Sequence, residues 1–165
     1  MENTVQLISK IAIWAAMFGW VVAMATRYCV PQKRRIANGW WLFALIVFAI
    51  HIVTAFHGFY EWSIRTALDE TARLTEDLTG WSSSVGLWVN FAFFAALAAD
   101  FAMRIFREGG VCKTQNRVVQ VLVIFMIVNG AIIFADGPVR CFGISLLVGL
   151  VVVIWYANVQ HRKHS

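Results

Sequence analysis

Long apolar segments alternate with short polar stretches along the whole chain. Five such segments cover approximately residues 6–27, 40–60, 85–106, 118–135 and 141–158. Each is long enough, as a helix, to cross the roughly 30 Å hydrocarbon core of a bilayer. The pattern therefore predicts an all-α integral membrane protein with five transmembrane helices, folded as a single helical domain over residues 1–165.

The polar stretch between the second and third apolar segments has a helical pattern of its own. Ile64, Leu68, Thr71 and Leu78 recur at intervals of three, four or seven residues, which places them on one face of a helix. Acidic residues outnumber basic ones in this stretch, and Gly80 is placed to end the helix. We therefore predict an acidic, amphipathic helix over about residues 63–79.

Composition agrees with a membrane location. Hydrophobic residues make up 60% of the chain and charged residues 14%, and the mean hydropathy is +0.69. The net charge of +5 alone could indicate a nucleic-acid partner. The basic residues lie between the apolar segments, so we interpret them as topology signals and exclude nucleic acid as a partner.

The charge pattern also predicts an orientation. Ten of the fourteen Lys and Arg residues lie in or beside the stretches that follow the first, third and fifth apolar segments. The positive-inside rule places these stretches in the cytoplasm. The amino terminus and the acidic helix are then extracytoplasmic and the carboxyl terminus is cytoplasmic, as in a multi-pass protein of the plasma (inner) membrane.

The second apolar segment carries a polar arc. His51 and His57 are six residues apart, which separates them by about 120° on the shorter arc of a helix, with Thr54 between them. Glu61 follows His57 by four residues, on nearly the same face. We expect this arc to face other helices, because a histidine in contact with lipid would leave its ring nitrogens without partners.

Other polar side chains fall at similar depth in the predicted bundle. Measured along ideal helices, Asn90, Asn129 and Ser145 all lie in the outer half of the membrane, as His51 and His57 do. Together with Thr54 they are candidates for a hydrogen-bonding pocket between the helices. The sequence does not select a solute for such a pocket.

A redox cofactor is an alternative use of the arc, with His51, His57 and Glu61 as candidate ligands. A haem b held by two histidines needs them on opposite faces of the ring, which two histidines six apart on one helix cannot provide. It would therefore need Met or Lys as the second ligand, or an open site. His57 and Glu61 have a spacing that suits copper or zinc, completed by other groups. The cofactor therefore stays open.

One charged pair lies near the end of the third apolar segment. Asp100 and Arg104 are four residues apart and therefore share a helix face. Because the pair lies close to the charged end of the segment, we interpret it as a structural ion pair whose side chains extend toward the membrane surface.

No common catalytic motif is present, whether a GxSxG elbow, an HExxH pair or a phosphate-binding glycine loop. We therefore favour a non-catalytic accessory, anchoring or assembly subunit over an enzyme, without deciding the point. Its partners would be the lipid bilayer, other membrane subunits or further copies of the chain, and a basic extracytoplasmic protein docked on the acidic helix. The alternatives are a haem- or copper-binding redox protein and a transporter of a small solute or ion.

Overall fold

The computed structural model describes residues 4–106, 113–133 and 137–163, and in these ranges it contains helices and no strand. The six α-helices are α1 (Thr4–Cys29), α2 (Arg34–Gly58), α3 (Ile64–Thr79), α4 (Val85–Phe106), α5 (Lys113–Ile127) and α6 (Pro138–Lys163). A 3-10 turn at Pro31–Lys33 precedes α2, and a π-helical segment at Val128–Ile133 continues α5. The basic loop at 107–112 and the Asp136 turn lie outside the described residues.

The prediction of an all-helical membrane protein is confirmed for the described residues. Three helices, α1, α2 and α4, are long and apolar enough to cross a membrane. Within α6 a shorter apolar stretch runs over Arg140–Tyr156.

The start of α2 differs from the sequence interpretation. Asn38 and Gly39 have the composition of a turn, yet they lie inside α2, which begins directly after the 3-10 turn. Asn38 does not direct its amide to a local backbone turn, because its Oδ1 accepts a hydrogen bond from Arg27 Nη2 of α1, at 3.3 Å. A glycine within a long helix costs only about 1 kcal/mol relative to alanine, so Gly39 does not end the helix.

Helices α1 and α2 form an antiparallel hairpin packed along its length. A Cβ built on Gly19 would lie 3.1 Å from Ala44 Cβ, so the backbones approach closely at the middle of the hairpin. Near its open end, Gln6 Nε2 donates to the Gly58 carbonyl at 2.9 Å. These contacts fix the register that sets α1 residues against α2 residues at equal depth.

The remaining helices complete a bundle around this hairpin. Helix α1 also packs against α6, α2 against α4, α4 against α5, and the π-helical segment against α6, so these contacts link five helices in a closed ring. Trp20 lies in the core, where its ring meets those of Phe48 and Phe93 edge to face, each at a centroid distance of 5.2 Å.

Helix α3 occupies the place predicted for the acidic helix. Ser63 caps its first turn, with Ser63 Oγ accepting from Thr66 N–H at 3.1 Å. Gly80 follows the last turn at a φ of +76°, a left-handed conformation that glycine adopts readily. Ala67 is buried, and Thr71 packs against Gly86 at the start of α4.

Candidate functional site

A cavity of about 240 Å³ lies between α1, α2, α4 and the α5 segment with its π-helical continuation. Most of its walls are apolar or aromatic. The aromatic side chains that line it are Trp20, Phe48, Phe56, Tyr60, Phe91 and Phe93. His51 and Asn90 add polar groups to the lining, and Gly130 of the π-helical segment lines it from the α5 side.

His51 reaches the cavity with one ring nitrogen already occupied. Its Nδ1 lies 2.9 Å from the Ser9 carbonyl oxygen and 3.0 Å from Ser9 Oγ. A carbonyl oxygen can only accept, so Nδ1 carries the hydrogen and Nε2 of the neutral ring keeps its lone pair. The Phe48 ring stacks on the imidazole at 5.8 Å with an interplanar angle of 10°. The ring is thus held in place from two sides.

The polar groups around the cavity lack partners within the described part of the chain. Trp20 is 1% exposed, and its Nε1–H is the one buried side-chain nitrogen or oxygen found there without a hydrogen bond. The Asn90 amide, the Tyr60 hydroxyl and His51 Nε2 likewise make no hydrogen bond to a described residue. Buried polar groups are normally paired, which makes the unpaired Trp20 Nε1–H unusual. Asn90 is exposed and Tyr60 and His51 are half-buried, so these three add unused hydrogen-bonding capacity to the cavity lining without being fully buried.

Of the four residues predicted to form a polar pocket, Asn90 alone lines the cavity. Thr54 Oγ1 donates to the Ile50 carbonyl of its own helix at 2.8 Å. Ser145 is exposed and donates to the Cys141 carbonyl at 2.8 Å. Asn129 lies in the π-helical segment beside Gly130, which does line the cavity. π-helical turns inside α-helices often occur at functional sites.

The predicted metal ligands occupy different surroundings. Helix α2 ends at Gly58, and Glu61 and Trp62 adopt left-handed φ values of 48° and 60°, so Glu61 does not continue the polar arc. His57 is exposed, and its Nδ1 accepts from Trp62 Nε1 at 3.1 Å. In the described ranges no group of three or more His, Cys, Asp and Glu side chains is placed to hold a metal ion. His51 is the one of the three candidates that lines the cavity.

A second polar group lies at the other end of the bundle. Arg104 Nε donates to Asp100 Oδ2 at 2.6 Å, which is the ion pair that the spacing indicates. Gln115 Nε2 donates to the second carboxylate oxygen at 3.0 Å, and Arg104 Nη2 donates to Asn116 Oδ1 at 2.9 Å. Asp100 is 1% exposed, so the pair is buried between α4 and α5 instead of extending to the surface.

Trp41 joins α1 and α2 to this group. Its Nε1 donates to the Leu97 carbonyl at 3.5 Å, and the Arg27 guanidinium lies 4.5 Å from its ring centroid. Arg104 lies 5.8 Å from the same ring. Four helices therefore meet in one network in which both carboxylate oxygens of Asp100 are paired.

The sequence interpretation did not assign Ser9, Trp20 or Tyr60 to the candidate site. Ser9 carried a weak signal, since it is a polar residue in the first apolar segment; its contact with His51 follows from the register of the α1–α2 hairpin. Nothing in the sequence separates Trp20 from tryptophans that simply fill the core. In comparisons with known proteins, no family model matches the chain, and neither does any curated protein or solved structure.

Proposed function

We propose that this protein binds a small, mainly apolar molecule in the cavity between α1, α2, α4 and the α5 segment. The observation that carries the proposal is the set of polar groups without partners around an apolar space. Water is scarce in a bilayer core, and an unpaired polar group there costs several kcal/mol. A ligand that fills the space and pairs these groups would remove that cost. This reading develops the small-solute alternative.

We propose further that the chain crosses the plasma (inner) membrane five times, with its amino terminus outside. Support comes from α5, whose 15 residues continue into a π-helical segment of 6, and from α6, which is 26 residues long. Both belong to the closed ring of five helices that includes α1. The distribution of basic residues favours an outside amino terminus, which would put the cavity in the outer half of the membrane.

Cysteine labelling tests the orientation. Glu76→Cys, on the exposed part of α3, is introduced into a chain whose own cysteines are replaced by serine. A membrane-impermeant maleimide should label it in intact cells without permeabilisation. Labelling only after permeabilisation would reverse the orientation and move the cavity to the inner half.

Binding of naphthalene to the purified protein in lipid nanodiscs tests the proposed function. Ala55 lines the cavity, and Ala95 lies on the exposed face of α4. The wild type and Ala95→Leu should each bind one naphthalene, whereas Ala55→Leu, which fills the space, should bind it at least tenfold more weakly. Equal uptake by all three proteins would show partition into lipid and overturn the proposal.

An accessory or anchoring subunit is the second candidate function, and α3 is the observation that favours it. The helix is capped at both ends, and its exposed face carries Glu70, Arg73 and Asp77. A basic extracytoplasmic domain could dock there.

A photo-crosslinker at Glu76 tests this docking. It should give a discrete higher-mass adduct in native membranes, and the adduct should be lost in the double variant Glu70→Lys with Asp77→Lys. Adducts of equal yield from a crosslinker at Val121, an exposed position on α5, would overturn it.

The haem or copper alternative rests on His51 alone among the cavity residues. An absorption spectrum and a metal analysis of the purified protein test it directly. A Soret band or stoichiometric copper, lost in His51→Ala, would establish a redox centre. A colourless protein without bound copper would end that alternative.

A further inference from the structure

The size of the cavity limits what it can hold. An apolar protein cavity of about 150 Å³ binds benzene, and drug-sized ligands occupy pockets of roughly 300 to 1,000 Å³. A space of about 240 Å³ therefore suits a molecule of one or two rings. Its walls include the rings of Phe48, Phe91 and Phe93, and aromatic side chains pack well on the faces and edges of other planar rings.

The polar groups in the lining limit the chemistry of the ligand. Ser9 occupies His51 Nδ1, so the nitrogen left for a ligand is Nε2, which can only accept in the neutral ring. A ligand carbonyl would face this lone pair with one of its own. A hydroxyl donates to it, and the hydroxyl oxygen can also accept from Trp20 Nε1–H or from the Asn90 amide, both without partners among the described residues.

We infer that the ligand is a planar, lipid-soluble compound of one or two rings that carries a hydroxyl group, such as a phenol or a hydroquinone, and that this hydroxyl donates a hydrogen bond to His51 Nε2. The inference rests on the proposed function, because it names the class of molecule bound in the same cavity. Its recognition element is the pairing of Ser9 with His51, which leaves a single acceptor nitrogen for the ligand.

Three probes with the same two-ring skeleton distinguish recognition of the hydroxyl group from recognition of the ring. Naphthalene, 2-naphthol and 2-methoxynaphthalene are titrated against the wild-type protein in lipid nanodiscs, and each affinity is corrected for partition into protein-free nanodiscs. We expect 2-naphthol to bind about fivefold more tightly than naphthalene, as one net hydrogen bond gives. The methoxy compound, which has the oxygen without the hydrogen, should gain nothing over naphthalene.

Substitution of His51 assigns the effect to Nε2. In His51→Asn the amide nitrogen stands where Nδ1 stood and can still donate to the Ser9 carbonyl, while Nε2 is lost. The preference for 2-naphthol over naphthalene, taken as the ratio of the two affinities within this variant, should disappear. The matched control is His57→Asn, since His57 is exposed and does not line the cavity; it should keep the preference.

The outcomes distinguish the inference from the proposed function. If 2-naphthol binds no more tightly than naphthalene, or if 2-methoxynaphthalene binds as tightly as a favoured 2-naphthol, the hydroxyl hydrogen is not recognised and the inference is overturned, while the cavity stays a binding site. If none of the probes binds above partition, the proposed function itself fails. Because the probe series uses the wild-type protein, the result does not depend on the folding of a variant.

Discussion

Polar side chains are paired at one end of this helix bundle, and several at the other end lack partners within the described ranges. At the end that contains Asp100, the carboxylate is paired by Arg104 and Gln115 although it is buried. At the end that contains His51, Trp20 Nε1–H and the Asn90 amide have no partner among the described residues. Polar groups that pair with one another link helices, and polar groups that converge without pairing leave capacity for a ligand.

Helix α5 explains much of this difference. Its first turn supplies two amides to the polar network, Gln115 to Asp100 and Asn116 to Arg104. Its other end continues as a π-helical segment. Gly130 in this segment lines the cavity and, as a glycine, places no side chain in it. A Cβ built on Gly130 would meet nothing within 4 Å. One helix therefore completes the polar network at one end and leaves space at the other.

Breaking the buried ion pair should have the largest effect on stability. Asp100→Leu should lower the free energy of unfolding by about 3 to 5 kcal/mol, because it leaves a buried guanidinium without its carboxylate. The measurement is unfolding of the detergent-solubilised protein by sodium dodecyl sulfate, followed by circular dichroism. Arg104→Met and the double variant complete the cycle, with a coupling of about 1 to 3 kcal/mol. Additive losses would contradict the view that the pair acts as a unit.

Two asparagines of equal size allow a direct test of the comparison. Asn116→Leu should lower the free energy of unfolding by about 1 to 3 kcal/mol, since Arg104 loses an acceptor. Asn90→Leu removes an amide that has no partner in the described ranges, so stability should stay the same or rise by up to about 1 kcal/mol. The same denaturant titration measures both. Similar losses for the two variants would mean that the ends of the bundle do not differ as we describe.

The sequence predicts the elements of this fold better than its interior. The bounds of α4 match the third apolar segment, and the spacing of apolar residues locates α3, because both depend on local patterns that one helix face carries. The predicted start of the second helix was wrong because Asn38 pairs with Arg27 of another helix. No local sequence pattern indicates such a contact. Long-range partners override turn propensity there.

The candidate site is predictable in depth but not in rotation. Counting residues along a helix gives the height of His51 and Asn90, and the structure places both around one cavity. Height alone does not say that Thr54 and Ser145 bond to carbonyls of their own helices. Whether Trp20 Nε1–H finds a partner depends on how three helices pack, and hydropathy does not encode that packing.

A smaller effect is expected where Ser9 of α1 meets His51 of α2. Ser9→Ala removes the hydroxyl that lies 3.0 Å from His51 Nδ1 but keeps the carbonyl, so we expect a loss of about 0.6 to 1.7 kcal/mol in the free energy of unfolding. Thr54→Val is the control, because the hydrogen bonds that Thr54 makes to described residues all lie within α2. Its effect should stay within about 0.5 kcal/mol. A loss confined to Thr54→Val would show that this contact does not join α1 to α2.

The smallest effect should come from the exposed counterpart of the Asp100 pair. On α3, Arg73 Nη2 donates to Glu70 Oε1 at 2.6 Å with both side chains largely in solvent. This hydrogen bond lowers the pKa of Glu70 below its ordinary value of 4.5. Because the pKa is lower in the folded state, the pair adds stability above pH 4.5, and this stability is lost as the pH falls through the lowered value.

Carboxyl NMR of Glu70 should show the lowered pKa in the wild type and a return toward 4.5 in Arg73→Gln. The free energy of unfolding should change only slightly in this variant, since solvent screens exposed pairs. A loss of stability in Arg73→Gln as large as in Asp100→Leu would show that burial is not what distinguishes the two pairs.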